Sequence, residues 1–134
     1  MPIFLLLLLA ALAANVRTTT IAHTNNSKEG DNMAIFLRSF WYDVAPDRSR
    51  IYSFHFKLMQ HPDGTIHIEI LSQPPYPAGR ASDAHSTHRY GLGSGGHAYI
   101  CYDPMPRTVH AAKEIAAGWA RRTIAYQRTG RWAA

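Results

Sequence analysis

The chain has 134 residues, of which 46% are hydrophobic and 17% charged, and its formal charge at pH 7 is +5. This length allows one domain with one sizeable core, and the composition excludes an intrinsically disordered chain. A single cysteine excludes an internal disulfide and a four-cysteine zinc site. The basic balance favours an anionic partner, such as nucleic acid.

Residues 1–32 differ in character from the rest of the chain. The stretch from Ile3 to Ala14 is an uninterrupted apolar run of 12 residues. It is too short to span a bilayer, which takes about 20 residues. It matches the apolar region of a secretory signal, with a cleavage site near Ala13. On this interpretation the protein is exported.

A second interpretation makes residues 1–32 a translated upstream segment. The stretch Lys28–Gly30 can be encoded by codons that contain a bacterial ribosome-binding sequence, shortly before the codon for Met33. If Met33 is the natural start, we expect the protein to be cytoplasmic. Under either interpretation the segment is a leader, and we expect residues 33–134 to form a single α+β domain without membrane association.

The stretch around residue 63 predicts a β-hairpin. His61-Pro62-Asp63-Gly64 has proline second and glycine fourth, the order of a type I turn whose glycine takes the left-handed conformation. A three-residue loop then pairs His61 with Thr65 and places apolar pairs on one face and an ion pair on the other, as in a half-buried antiparallel sheet. The predicted pairs are Phe56 with Ile70, Lys57 with Glu69, Leu58 with Ile68 and Met59 with His67.

Two further stretches have strand character. Ile35 to Val44 is rich in aromatic residues, and Ala45-Pro46-Asp47 indicates a turn after it. His97 to Asp103 alternates apolar and polar positions and predicts another strand. Between the hairpin and this strand, residues 74–96 form a long connection rich in proline and glycine. Its glycine run is interpreted as a flexible tether.

A helix is predicted from Thr108, its N-cap, to about Thr129, with Gly130 as the stop signal. Its apolar stripe recurs at spacings of three and four, so it can lie on a sheet. The fold class is therefore α+β, an antiparallel sheet of about four strands with one C-terminal helix packed on a face. The stripe comprises Val109, Ala112, Ala116, Trp119, Thr123 and Tyr126. The predicted core comprises Val109, Trp119, Tyr126, Phe54, Phe56, Leu58, Ile68 and Ile70, which leaves the Lys57–Glu69 face more open.

Two local resemblances point towards nucleic acid. A sheet followed by an alanine-containing helix that begins at Thr108 resembles the arm-type DNA-binding domain of tyrosine integrases, whose sheet enters the major groove. The long connection at residues 74–96 departs from that compact pattern. Ala112 to Ala117 is similar to the alanine-lysine helix of double-stranded-RNA-binding domains, although Val109 and His110 stand where that family carries lysines. The chain is assigned to neither family.

The basic residues suggest a small non-catalytic protein that binds nucleic acid through an arginine-rich face. No catalytic residue is assigned, since no constellation of nucleophile and base is evident. The alternative is a protein-interaction module, or an inhibitor of the kind found on mobile elements, which uses the sheet face or the long loop. The candidate nucleic-acid-binding residues are Arg38, Arg48, Arg50, Arg121, Arg122 and Arg128.

Histidines in the long connection suggest a third possibility, a metal-dependent hydrolase. His85, His88 and His97 are candidate zinc ligands, because zinc takes imidazole together with carboxylate or thiolate ligands. Their spacing matches no strong zinc motif, so no cofactor is expected and zinc remains the alternative. Cys101 lies on a predicted strand and is expected to be a buried, inert thiol.

Overall fold

The computed structural model describes residues 33–93 and 95–133; the leader predicted for residues 1–32 lies outside this range. One antiparallel sheet of five strands, in the order β1-β2-β3-β5-β4, carries a long C-terminal helix on one face. The predicted α+β class is confirmed, with one strand more than expected. The elements are β1 (Ile35–Asp47), β2 (Arg50–Gln60), β3 (Ile66–Ser72), α1 (Ala84–Thr87), β4 (Arg89–Leu92), β5 (Ala98–Ile100) and α2 (Val109–Thr129).

The hairpin between β2 and β3 has the predicted register at all four pairs. Its turn is closed by two backbone hydrogen bonds of 2.9 Å, from the His61 N–H to the Thr65 carbonyl and from the Gly64 N–H to the His61 carbonyl. Gly64 has a φ of +86°, a conformation that a side chain would strain. The turn chemistry and the alternation of the strands therefore specify the same pairing.

The first turn lies later than the sequence indicated. Strand β1 continues to Asp47, which pairs with Arg50, and the turn falls on Arg48 and Ser49. The Asp47 carboxylate accepts a 2.9 Å hydrogen bond from the Ser49 N–H, which closes this turn. Pro46 lies in an irregular stretch of the edge strand, where its missing N–H removes no ladder bond.

The connection at residues 74–96 contains β4, a strand that the sequence analysis did not predict. Strand β4 pairs with β5 in antiparallel register, with Tyr90 opposite Tyr99. It has only four residues, one of them glycine, so it shows neither the length nor the alternation of a recognisable strand. Strand β5 is correspondingly shorter than the predicted His97 to Asp103.

Helix α2 begins and ends as predicted. The Ala111 N–H donates to the Thr108 hydroxyl over 3.1 Å, and Gly130 caps the other end with a φ of +76°. Trp119 packs its ring edge-on against Phe54 and Phe56. The predicted core is confirmed, with Val109 only partly buried against it. Within residues 33–93 and 95–133, no helix combines the length and apolarity of a membrane span.

Candidate anion-binding groove

A groove of about 560 Å³ lies between the last part of β1 and the C-terminal half of α2. Its floor is apolar, formed by side chains from both elements, and its helix side carries two arginines. This combination offers an apolar surface to one part of a ligand and positive charge to another. The lining residues are Tyr42, Asp43, Val44, Ala45, Pro46, Arg121, Ile124, Ala125, Arg128 and Thr129.

The two arginines reach from the helix to β1. Arg121 Nη1 donates to the Tyr42 hydroxyl over 2.7 Å, and Arg128 Nη2 lies 3.2 Å from Asp47 Oδ2. The side chains of both arginines remain exposed to solvent. They are seven residues apart, so they lie on similar faces of α2 about 10 Å apart along its axis.

A smaller groove, of about 230 Å³, adjoins the first one. Arg128 and Ile124 line both, and Arg50 lies on the far side of the second, with its guanidinium 4.7 Å from the centre of the Tyr52 ring. Arg48 occupies the turn between Asp47 and Arg50. We call the set Arg48, Arg50, Arg121 and Arg128 the arginine end.

The six arginines predicted to bind nucleic acid do not all lie at one site. Four of them form the arginine end. Arg122 shares a third groove, of about 500 Å³, with Arg121, between α2 and the segment that precedes it. Arg38 pairs with Leu58 and is nine residues from Asp47 along β1, a separation of about 30 Å. Arg38 therefore lies apart from the arginine end.

The local charge remains positive despite a nearby carboxylate. Hydrogen bonds from the Ser49 hydroxyl and N–H, followed by the charge of Arg128, lower the pKa of Asp47. Asp47 therefore stays ionised at neutral pH and offsets one of the four arginines. The C-terminal end of a helix is itself negative. Arg80 counteracts it by donating to the carbonyls of Gln127 and Arg128.

The three candidate zinc ligands do not converge. His85 is exposed on α1, His88 stacks on Trp132 with ring centres 4.4 Å apart, and the His97 carbonyl accepts a hydrogen bond from Gly93. In the part of the chain that the structure describes, no three His, Cys, Asp or Glu side chains are placed to hold a metal ion. The zinc hypothesis thus has no geometric support there.

The glycine run does not behave as a free tether, since Gly95 is fastened to the sheet face opposite α2. The Gly95 N–H donates to Glu69 Oε1 over 2.8 Å, and Lys57 Nζ lies 3.0 Å from Glu69 Oε2. Glu69 is completely buried, contrary to the expectation of an open face. The sequence predicted the ion pair but not the loop that buries it, because Gly95 lies more than 20 residues from Glu69 along the chain.

Cys101 follows β5 and is half-buried. Its N–H donates to the His88 carbonyl over 2.9 Å. The Tyr90 hydroxyl lies beside the thiol, and their hydrogen bond is the main cause that raises the pKa of Tyr90. The thiol is therefore not fully buried, contrary to the expectation, and has the Tyr90 hydroxyl as its neighbour.

Comparison of the chain with protein-family models, curated proteins and solved structures finds no match.

Proposed function

We propose that this protein binds nucleic acid through the arginine end. The observation that carries the proposal is that Arg128 shares one groove with Arg121 and an adjoining groove with Arg50. Arg48 stands in the turn beside Asp47, the partner of Arg128. Two acids lie beside these arginines: Asp43, which accepts from the Ser53 hydroxyl over 2.7 Å, and Asp47, which pairs with Arg128. Four guanidinium groups against two carboxylates still leave a local excess of positive charge.

Guanidinium groups suit phosphate because their planar fork can donate two parallel hydrogen bonds to it. Binding at such a surface releases counterions from the nucleic acid, so the affinity falls as the salt concentration rises. The three grooves beside α2 make this surface concave, so it can also contact parts of a nucleotide other than its phosphate. The chain needs no catalytic group for this function.

A protein-interaction module remains the second candidate, favoured by the other half of β1. No strand among residues 33–93 and 95–133 pairs with its outer edge, and Ile35, Phe36 and Trp41 are each more than half exposed. An open edge with apolar side chains can accept an extended segment of a partner. Such binding would depend less on salt than binding to phosphate.

The test is a titration of the full chain against fluorescently labelled single-stranded and duplex oligonucleotides at several salt concentrations. We expect micromolar binding at low salt and a steep loss of affinity as salt rises. Arg121→Gln and Arg128→Gln should each reduce the slope of log affinity against log salt by about 1. Arg38→Gln removes the same charge about 30 Å along β1 from Asp47, the partner of Arg128, and is the matched control for the Arg128 variant.

Two outcomes would contradict the proposal. Absence of binding to either nucleic acid at low salt would overturn the function, and protein partners would then be sought for β1. An equal loss of affinity in Arg38→Gln and Arg128→Gln would show that net charge alone governs binding. That result would overturn the arginine end as the site.

A further inference from the structure

We infer that the groove between β1 and α2 receives the base of an unpaired nucleotide, so that the protein prefers single-stranded nucleic acid to duplex. This inference rests on the proposed function and specifies its ligand. In a duplex the bases are stacked and paired, and a protein surface meets mainly phosphate and sugar on the outside. A single strand presents its bases as well.

The floor of the groove is the first argument. Val44, Ala45 and Pro46 from β1 face Ile124 and Ala125 from α2, and together they form an apolar surface below the arginines. A volume of about 560 Å³ lies within the range of small-molecule sites. A ligand bound only through its phosphates would leave this apolar floor exposed to water. A planar base has an apolar face that can cover it.

The positions of the cations are the second argument. Ile124 and Ala125 lie between Arg121 and Arg128 along α2, so the apolar floor on the helix side is bracketed by positive charge. A nucleotide whose base rests on this floor carries a phosphate on each side of its sugar. The two arginines, about 10 Å apart along the helix axis, can each meet one of these phosphates.

The strand side of the groove supplies the third argument. The Tyr42 hydroxyl accepts from Arg121 and also has a proton to donate. Asp43 also lines this wall, but its carboxylate accepts from the Ser53 hydroxyl over 2.7 Å on the other face of the sheet. The hydroxyl of Tyr42 can therefore meet the edge of the base on the strand side, while the arginines of the helix side meet phosphate.

The experiment compares one labelled oligonucleotide of mixed sequence, as a single strand and as its duplex, at one salt concentration with the full chain. We expect the single strand to bind at least about 10-fold tighter, since only it can fill the groove. Ala125→Phe fills the groove without changing charge and should lower the affinity for the single strand to about that for duplex. Ala111→Phe, on the same helix but in the third groove, is the matched control.

Thermal melts establish that each variant is folded, and Ala125→Leu replaces the phenylalanine variant if that variant melts early. Equal affinity of the wild-type protein for single strand and duplex would overturn this inference and leave the proposed function intact. Binding to neither would overturn both. A single-strand preference that survives Ala125→Phe, or is lost equally in Ala111→Phe, would overturn the groove as the site of the base.

Discussion

Lys57 and Glu69 lie directly opposite each other on β2 and β3, with Nζ 3.0 Å from Oε2. The glutamate is fully buried, while 22% of the lysine side chain remains exposed. The second carboxylate oxygen accepts the Gly95 N–H, so a cross-strand ion pair also fastens the loop between β4 and β5. The Lys57–Glu69 pair, which the alternation of β2 and β3 predicts, thus also holds the β4–β5 loop in place.

We expect Lys57→Met to destabilise the protein because it leaves the buried Glu69 carboxylate without a cation. Removal of one partner of a buried ion pair costs about 3–5 kcal/mol, and the partial exposure of Lys57 places the loss near or below the low end. Urea unfolding measures it. The control Lys113→Met removes an exposed lysine whose ammonium lies 5.4 Å from the centre of the Phe40 ring, and should change stability by less than about 1 kcal/mol. Equal effects of the two substitutions would contradict the role of the pair.

A methyl group at position 95 should also destabilise the protein. The Cβ of Gly95→Ala would lie 2.6 Å from Lys57 Nζ and 2.8 Å from Glu69 Oε2, so the loop must move away from the sheet. Overpacking of this kind costs about 1–3 kcal/mol, with the flexible lysine able to relieve part of it. Gly91→Ala has no atom within 4 Å of its Cβ and is the matched control. Thermal melts of both variants test the prediction, and a tolerated Gly95→Ala would contradict it.

The N-cap of α2 can be tested separately from the sheet. Thr108→Ala removes the hydroxyl that accepts the Ala111 N–H, and we expect a loss of about 1 kcal/mol in the free energy of unfolding. Thr108→Ser retains the oxygen and should preserve most of the stability. Urea denaturation of the three proteins gives the comparison. A serine variant as unstable as the alanine variant would show that the methyl group, and not the cap, matters.

We expect Asp63, in the hairpin turn, to make the stability of the protein depend on pH. Hydrogen bonds from the Thr65 hydroxyl and N–H lower the pKa of Asp63 below its ordinary value of 3.8. The ionised carboxylate therefore stabilises the fold above that value, and this contribution is lost as the pH falls through the lowered pKa. Asp63→Asn should lower the melting temperature at pH 7 but have little effect at about pH 2. A difference that stays constant with pH would contradict this.

Asp47→Asn should strengthen the proposed binding of nucleic acid. The substitution removes the charge that faces Arg128 across 3.2 Å and leaves that guanidinium available to phosphate. Exposed ion pairs are worth about 0.2–1 kcal/mol, so we expect affinity at low salt to rise by up to about fivefold. Asp63→Asn makes the same change in the turn at the opposite end of β2 and serves as the control. An equal gain in the two variants would indicate a general charge effect.

Local rules were sufficient for much of the fold. The turn at His61 to Gly64 and the alternation on either side of it specify the β2–β3 register, because a shift by one residue would turn every apolar side chain to the opposite face. Thr108 and Gly130 mark the ends of α2 for reasons that lie within one helical turn. Strand β4 escaped prediction because its four residues depend on pairing with β5 and not on a pattern of their own.

Such local rules predict much less of the candidate site. Composition shows a basic protein, but Arg50 and Arg128 are 78 positions apart, and no local pattern indicates that they line one groove while Arg38 lies elsewhere. Their meeting depends on the direction in which α2 crosses the sheet. The same applies to Gly95 and Glu69, whose contact depends on the path of the β4–β5 loop. Turns, caps and alternation reflect interactions between near neighbours in the chain, whereas the grooves and the buried carboxylate arise from the packing of distant segments.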